Sequence, residues 1–109
     1  MKEFQELIDE IMDFQKKTFP TSTSISKLYH LEKEIPELID ELAKVYHNSG
    51  DNKVIEMEYA DAFLLLIGSA ANYGLTADHI ASAIRQKIEI NKKRNWGNPD
   101  KNGVVQHLK

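Results

Sequence analysis

Apolar residues return every three or four positions through most of this chain, and no stretch alternates with the period of two that a half-buried strand shows. Phe4, Leu7, Ile8, Ile11 and Phe14 form the first such series, which stops before Phe19-Pro20. Thr21 to Ser24 follow as a polar loop whose hydroxyls can cap the next helix. Leu28, Leu31, Ile35, Leu38, Ile39, Leu42 and Val45 line one side of a second helix, which ends at Asn48-Ser49-Gly50. Asp51 reads as the N-cap of a third, carrying Val54, Met57, Ala60, Phe63, Leu64 and Ile67, with Gly74 as its left-handed terminator. Thr76 then caps a fourth with Ile80, Ile84 and Ile88 in register, and the stretch from Trp96 to Lys109, with Gly97, Pro99 and Gly103, reads as irregular. Four helices on short connections predict an all-α four-helix bundle with an irregular C-terminal tail. A chain of 109 residues leaves room for little else, so residues 1–109 are expected to form a single all-α domain.

Two local features qualify this picture. Pro36 lies inside the second helix, where it removes a backbone hydrogen bond; either the helix kinks there, or it begins near Ile35 with Pro36 in its first turn. The third helix is apolar nearly all round, which suggests that a second subunit covers part of it, in a homo-oligomer such as a dimer or tetramer.

Composition removes several function classes. A formal net charge of −3 argues against a nucleic-acid binder driven by phosphate attraction. With no cysteine, thiolate metal sites and cysteine nucleophiles are excluded. The N-terminus lacks the apolar core of a signal peptide, and the longest nearly apolar run, Ala62 to Ala71, is about half the roughly 20 residues of a membrane span. A cytoplasmic location, away from membranes, is the expectation.

The chemistry rests on two short acidic motifs, Glu34-x-x-Glu37 and Glu58-x-x-Asp61, on successive helices. Residues three apart share a helix face, so antiparallel packing would bring four carboxylates into one small volume. Carboxylates that close repel unless a cation lies between them, and a hard divalent ion with oxygen ligands is the usual one. Glu58 and Asp61 border the most apolar segment and have no Lys or Arg three or four positions away. Glu41, one turn beyond Glu37, is either a further donor or a surface charge. Lys87, Asn91 and Arg94 make a polar stripe on the fourth helix that can hold phosphate oxygens, or that merely suits a helix C-terminus. Trp96 either packs on the bundle or stacks on a base. The four histidines show no metal-ligand spacing with one another, and Ser69 lacks the strand-to-helix setting of a nucleophile elbow.

The segments HLEKEIPELIDEL (30–42), EYADAFLLLIGSA (58–70) and KIEINKKRNWG (87–97), in this order, resemble the MazG-like all-α nucleoside triphosphate pyrophosphohydrolases, and the closing GVVQHLK resembles a short phage and bacterial branch. The resemblance implies cleavage of a (deoxy)nucleoside triphosphate between its α and β phosphates, with Mg2+ as cofactor and Mn2+ as a possible substitute. It makes Glu34, Glu37, Glu58 and Asp61 the metal ligands and catalytic acids. It assigns Lys87, Asn91 and Arg94, with Trp96 beside them, to substrate binding. The Phe19 to Ser24 loop and the tail are candidate lids over the base. A binding module that senses a nucleotide without cleaving it, or a purely structural helical oligomer, are the competing readings.

Overall fold

The computed structural model describes residues 1–108 and is all-α, with four helices and no strand among those residues. Helix α1 spans Lys2–Thr18, α2 Ser24–Tyr46, α3 Asn52–Tyr73 and α4 Ala77–Lys92. The chain divides into two compact units, Met1–Asp78 and His79–Lys109.

The helix ends follow from side-chain chemistry. Thr23 accepts a hydrogen bond from the Ser26 amide, and Ser26 Oγ accepts one from the Thr23 amide, so each residue satisfies a donor the helix leaves orphaned. Asp51 caps α3 by accepting from the Lys53 amide at 2.8 Å. Gly74 ends it at φ 111°, where a Cβ would be strained. Helix α2 runs unbroken through Pro36, so a start near Ile35 does not occur. The lost rung is tolerated because 23 residues of helix, packed along α3, hold that turn on both sides.

In the first unit α2 packs along α3, and α1 packs on α3 as well. A short loop joins α2 to α3, and the far ends are bonded: Ser24 Oγ donates to the Ser69 carbonyl at 2.7 Å while Ser69 Oγ donates to the Ser24 carbonyl at 2.8 Å. The start of one helix therefore meets the end of the other, which makes them antiparallel. Asn72 Nδ2 adds a bond to the Ser22 carbonyl. Helix α1 is fastened through Gln15, whose Nε2 donates to the Leu64 carbonyl at 3.0 Å, and through Gln5, whose Oε1 accepts from the Ala77 amide at 2.8 Å.

The buried apolar side chains of the described residues are Ile8, Ile11, Leu38 and Ala77. Leu28, Ile35, Ile39, Met57 and Phe63 stand about half open to solvent, although they belong to the apolar series of α2 and α3, and Leu66 beside them is as exposed. One stripe per helix is all that this three-helix packing covers.

In the second unit α4 carries exposed Ile84 and Ile88. Beyond it the chain turns irregularly from Lys93 to Leu108, with an isolated bridge between Trp96 and His107. Lys109, the end of the tail, lies outside the described residues. No helix among these residues is long and apolar enough to cross a membrane.

Candidate metal and nucleotide site

The antiparallel pairing of α2 and α3 brings Glu34, Glu37 and Glu58 together, with one carboxylate oxygen of each within 4.8 Å of the others. That spread is within reach of a shared hard cation. Asp61 stands outside this trio, exposed on the rim, yet close enough for its charge to bear on Glu37. It lines the same cavity as Glu34. Glu58 Oε2 is buried and has no hydrogen-bond partner. An acceptor in that condition costs on the order of 1–3 kcal/mol, more when charged. Glu34 is better provided, since His30 Nε2 lies 3.0 Å from its Oε1.

A hydrogen bond that the protonated Glu37 carboxyl donates to Glu34 holds it above its usual range, and the negative charges of Glu34, Glu58 and Asp61 push the same way. A carboxyl whose folded pKa is raised contributes stability at acid pH that is lost as pH climbs through the folded value. In chelator, wild type should therefore lose stability relative to Glu37→Gln as pH rises from about 4.5 toward neutrality. Paired thermal melts at stepped pH measure this, and parallel curves would refute the mutual repulsion.

Glu41 is no part of the trio. It accepts a hydrogen bond from Lys44 Nζ at 2.8 Å and holds that ammonium above the usual lysine range. Ser69 is occupied by its exchange with Ser24. Asn91, Arg94 and Trp96 are drawn together in the second unit: Arg94 Nη1 donates to Asn91 Oδ1 at 3.3 Å, and Trp96 Nε1 donates to the Asn91 carbonyl at 3.0 Å. The Trp96 ring meets His107 edge-on at 6.1 Å. Lys87 is exposed and makes no ion pair among the described residues.

The model of a family described as dATP/dGTP pyrophosphohydrolase matches residues 7–109. The chain belongs to that family. It is accordingly a nucleoside triphosphate pyrophosphohydrolase, a hydrolase acting on phosphoric anhydrides. Among solved structures it is similar to a cyanophage S-2L MazG-like pyrophosphohydrolase bound to dGDP and three catalytic Mn2+ ions per active site. The two share 28% identity over 95% of each chain, with a TM-score of 0.73. No curated protein matches. For a pyrophosphohydrolase of this family the orphaned Glu58 oxygen and the protonation-prone Glu37 have a shared remedy. Both fit a divalent cation, which would satisfy the first and remove the reason for the second.

Three residues at this site escape sequence reasoning. His30 has a weak signal, lying one turn before Glu34 on the same face. Gln15 and Lys27 have none, because what matters about them is burial set by α1 and α3.

Proposed function

We propose that the chain hydrolyses purine deoxynucleoside triphosphates to monophosphate and pyrophosphate with Mg2+, and that Glu34, Glu37, Glu58 and Asp61 are its metal-binding and catalytic acids. The observation that carries this reading is the buried, unpartnered Glu58 oxygen beside Glu34 and Glu37. The family description and the dGDP in the cyanophage enzyme favour a purine.

A divalent cation held there supplies Lewis-acid stabilisation of the phosphate oxygens and acidifies bound water. The residues themselves have distinct tasks. Glu34, oriented by His30, and Glu58 present fixed oxygens, while Asp61 adds a donor from the rim. Glu37, exposed at the edge of the trio and held above its usual range by its hydrogen bond to Glu34 and the neighbouring charges, is the carboxylate best suited to take a proton from attacking water. Lys87 and Arg94 neutralise charge on the departing pyrophosphate, and Asn91 holds Arg94 in place. Trp96, anchored through its Nε1, offers a ring face to the substrate.

We also propose that a second copy of the chain covers the bare apolar residues of α2 and α3. Burying the exposed half of each such side chain is worth about 1 kcal/mol, enough in sum to help hold a dimer or larger assembly. A cytoplasmic location suits an enzyme that draws on the nucleotide pool.

The test is a panel of ribo- and deoxyribonucleoside triphosphates assayed for pyrophosphate with and without Mg2+. Pyrophosphate should be the first product, with dATP and dGTP turned over fastest and only when Mg2+ is present. Orthophosphate as the first product, or binding without turnover across the panel, would overturn the reading.

A further inference from the structure

Arg94 sits where a helix alone does not aim it. Helix α4 ends at Lys92, and the next two amides bond only three residues back, Lys93 to the Ile90 carbonyl and Arg94 to the Asn91 carbonyl at 3.2 Å. A terminal turn of this kind frays readily, so a guanidinium carried on it needs an anchor from outside the helix.

The tail reaches back to supply one. Trp96 and His107 face each other as an antiparallel pair. The pair is flanked by bonds from the Gly97 amide to the Gln106 carbonyl at 2.9 Å and from the Leu108 amide to the Asn95 carbonyl at 2.6 Å. Bonds on either side of a pair, rather than within it, mark the arrangement that brings opposed side chains closest. The two rings accordingly meet edge to face at 6.1 Å. Asp100 closes the connecting loop, its Oδ1 accepting from the amides of Asn102 and Val104. From Trp96 the connection runs to the helix end. Its Nε1 donates to the Asn91 carbonyl at 3.0 Å, the same oxygen that receives the Arg94 amide. Asn91 Oδ1 in turn accepts from Arg94 Nη1 at 3.3 Å, and the other guanidinium donors stay available for phosphate oxygens.

Packing gives this tail no reason to be ordered. Trp96, Val104, Val105 and Leu108 all remain more than a third exposed, and no residue from 93 to 108 is buried. Ordering such a stretch costs conformational entropy that burial does not offset. Its inward bonds converge on Asn91, the residue that holds Arg94.

We propose that the tail is a positioning clasp, in which Trp96 and His107 fix the last turn of α4 so that Asn91 presents the Arg94 guanidinium to pyrophosphate oxygens. The proposal rests on the reading of Arg94 as a pyrophosphate ligand. His107 is a positioning residue that acts through Trp96. What it contributes is a ring, so another aromatic residue serves there and alanine does not.

The test titrates Mg2+-pyrophosphate, which has no base to stack on Trp96, by calorimetry. The proteins are wild type, Arg94→Ala, His107→Ala, His107→Phe, Trp96→Phe (which keeps a ring and deletes Nε1) and the double variant Arg94→Ala/His107→Ala. Arg94→Ala should weaken binding about a hundredfold, and His107→Ala and Trp96→Phe about tenfold, as lost and misdirected charged hydrogen bonds respectively. His107→Phe should bind as wild type does. The double variant should bind no more weakly than Arg94→Ala, because the clasp then has nothing left to position. A tail kept for stability alone gives the opposite pattern, lower melting midpoints and losses that add. Additive losses, wild-type affinity in His107→Ala, no rescue by His107→Phe, or no binding by wild type would each overturn the clasp. Turnover is judged separately: pyrophosphate bound by wild type without hydrolysis of dGTP would sink the hydrolase reading and leave the clasp standing.

Discussion

Glu58→Gln is expected to lower pyrophosphate release by about a thousandfold while raising the melting temperature of the chelated protein. The first effect follows if Glu58 is a metal ligand: cation stabilisation of transferring phosphoryl charge is worth several kcal/mol, and each 1.4 kcal/mol is about tenfold in rate. The second follows from the folded state alone. The substitution removes negative charge from a trio whose oxygens lie within 4.8 Å, and it replaces a half-buried carboxylate with one buried, unpartnered oxygen. Relief of on the order of 1 kcal/mol would shift the melting midpoint by roughly 4–8 °C in a chain of this size. Saturating Mg2+ should reverse the ranking, because a cation that binds the folded wild type stabilises it by mass action. Differential scanning fluorimetry with chelator and with Mg2+, beside a pyrophosphate assay, reads all three. Near-wild-type turnover by Glu58→Gln would remove the acidic trio from the mechanism.

Gly68→Ala should destabilise the protein by about 1–3 kcal/mol, against the usual trend for a glycine inside a helix. Helix propensity alone favours alanine by about 1 kcal/mol. Here the new Cβ would sit on Gln15 Oε1 and 2.8 Å from Nε2. The amide has nowhere to retreat without giving up its bond to the Leu64 carbonyl, which ties α1 to α3. Overpacking plus the lost hydrogen bond outweighs the propensity gain. Pairing the substitution with Gln15→Ala removes the obstruction, so the double variant should be more stable than the sum of its parts. Urea denaturation of the four proteins closes the cycle, and strict additivity would show that the clash is relieved some other way.

What the sequence reveals and what it hides divide along a physical line. Thr23 with Ser26, Asp51 and Gly74 act on amides within a few residues, so helix ends at these places are legible from local chemistry. The meeting of Glu34, Glu37 and Glu58 is legible too, because three-residue spacing fixes a face and a short loop implies antiparallel neighbours. Asp61 shares a face with Glu58 on that logic but stays on the rim, since the position of α2 against α3 decides which oxygens close in. The exposure of Phe63 and Leu66 suits a helix apolar nearly all round, because one chain has too few helix faces to cover every side of it. Lys27 reads as an ordinary surface residue until the Phe19–Ser22 turn and α1 close over it. Gln15 meets its partner 49 residues away, and no spacing rule reaches that far.

The reciprocal serine bonds at one end of the α2–α3 hairpin, and the covalent loop at the other, have an electrostatic consequence. Helices pinned at both ends cannot drift apart in the middle, so the carboxylates between them cannot escape one another by bowing outward. Their repulsion stays stored in the hairpin until a proton or an arriving cation offsets it.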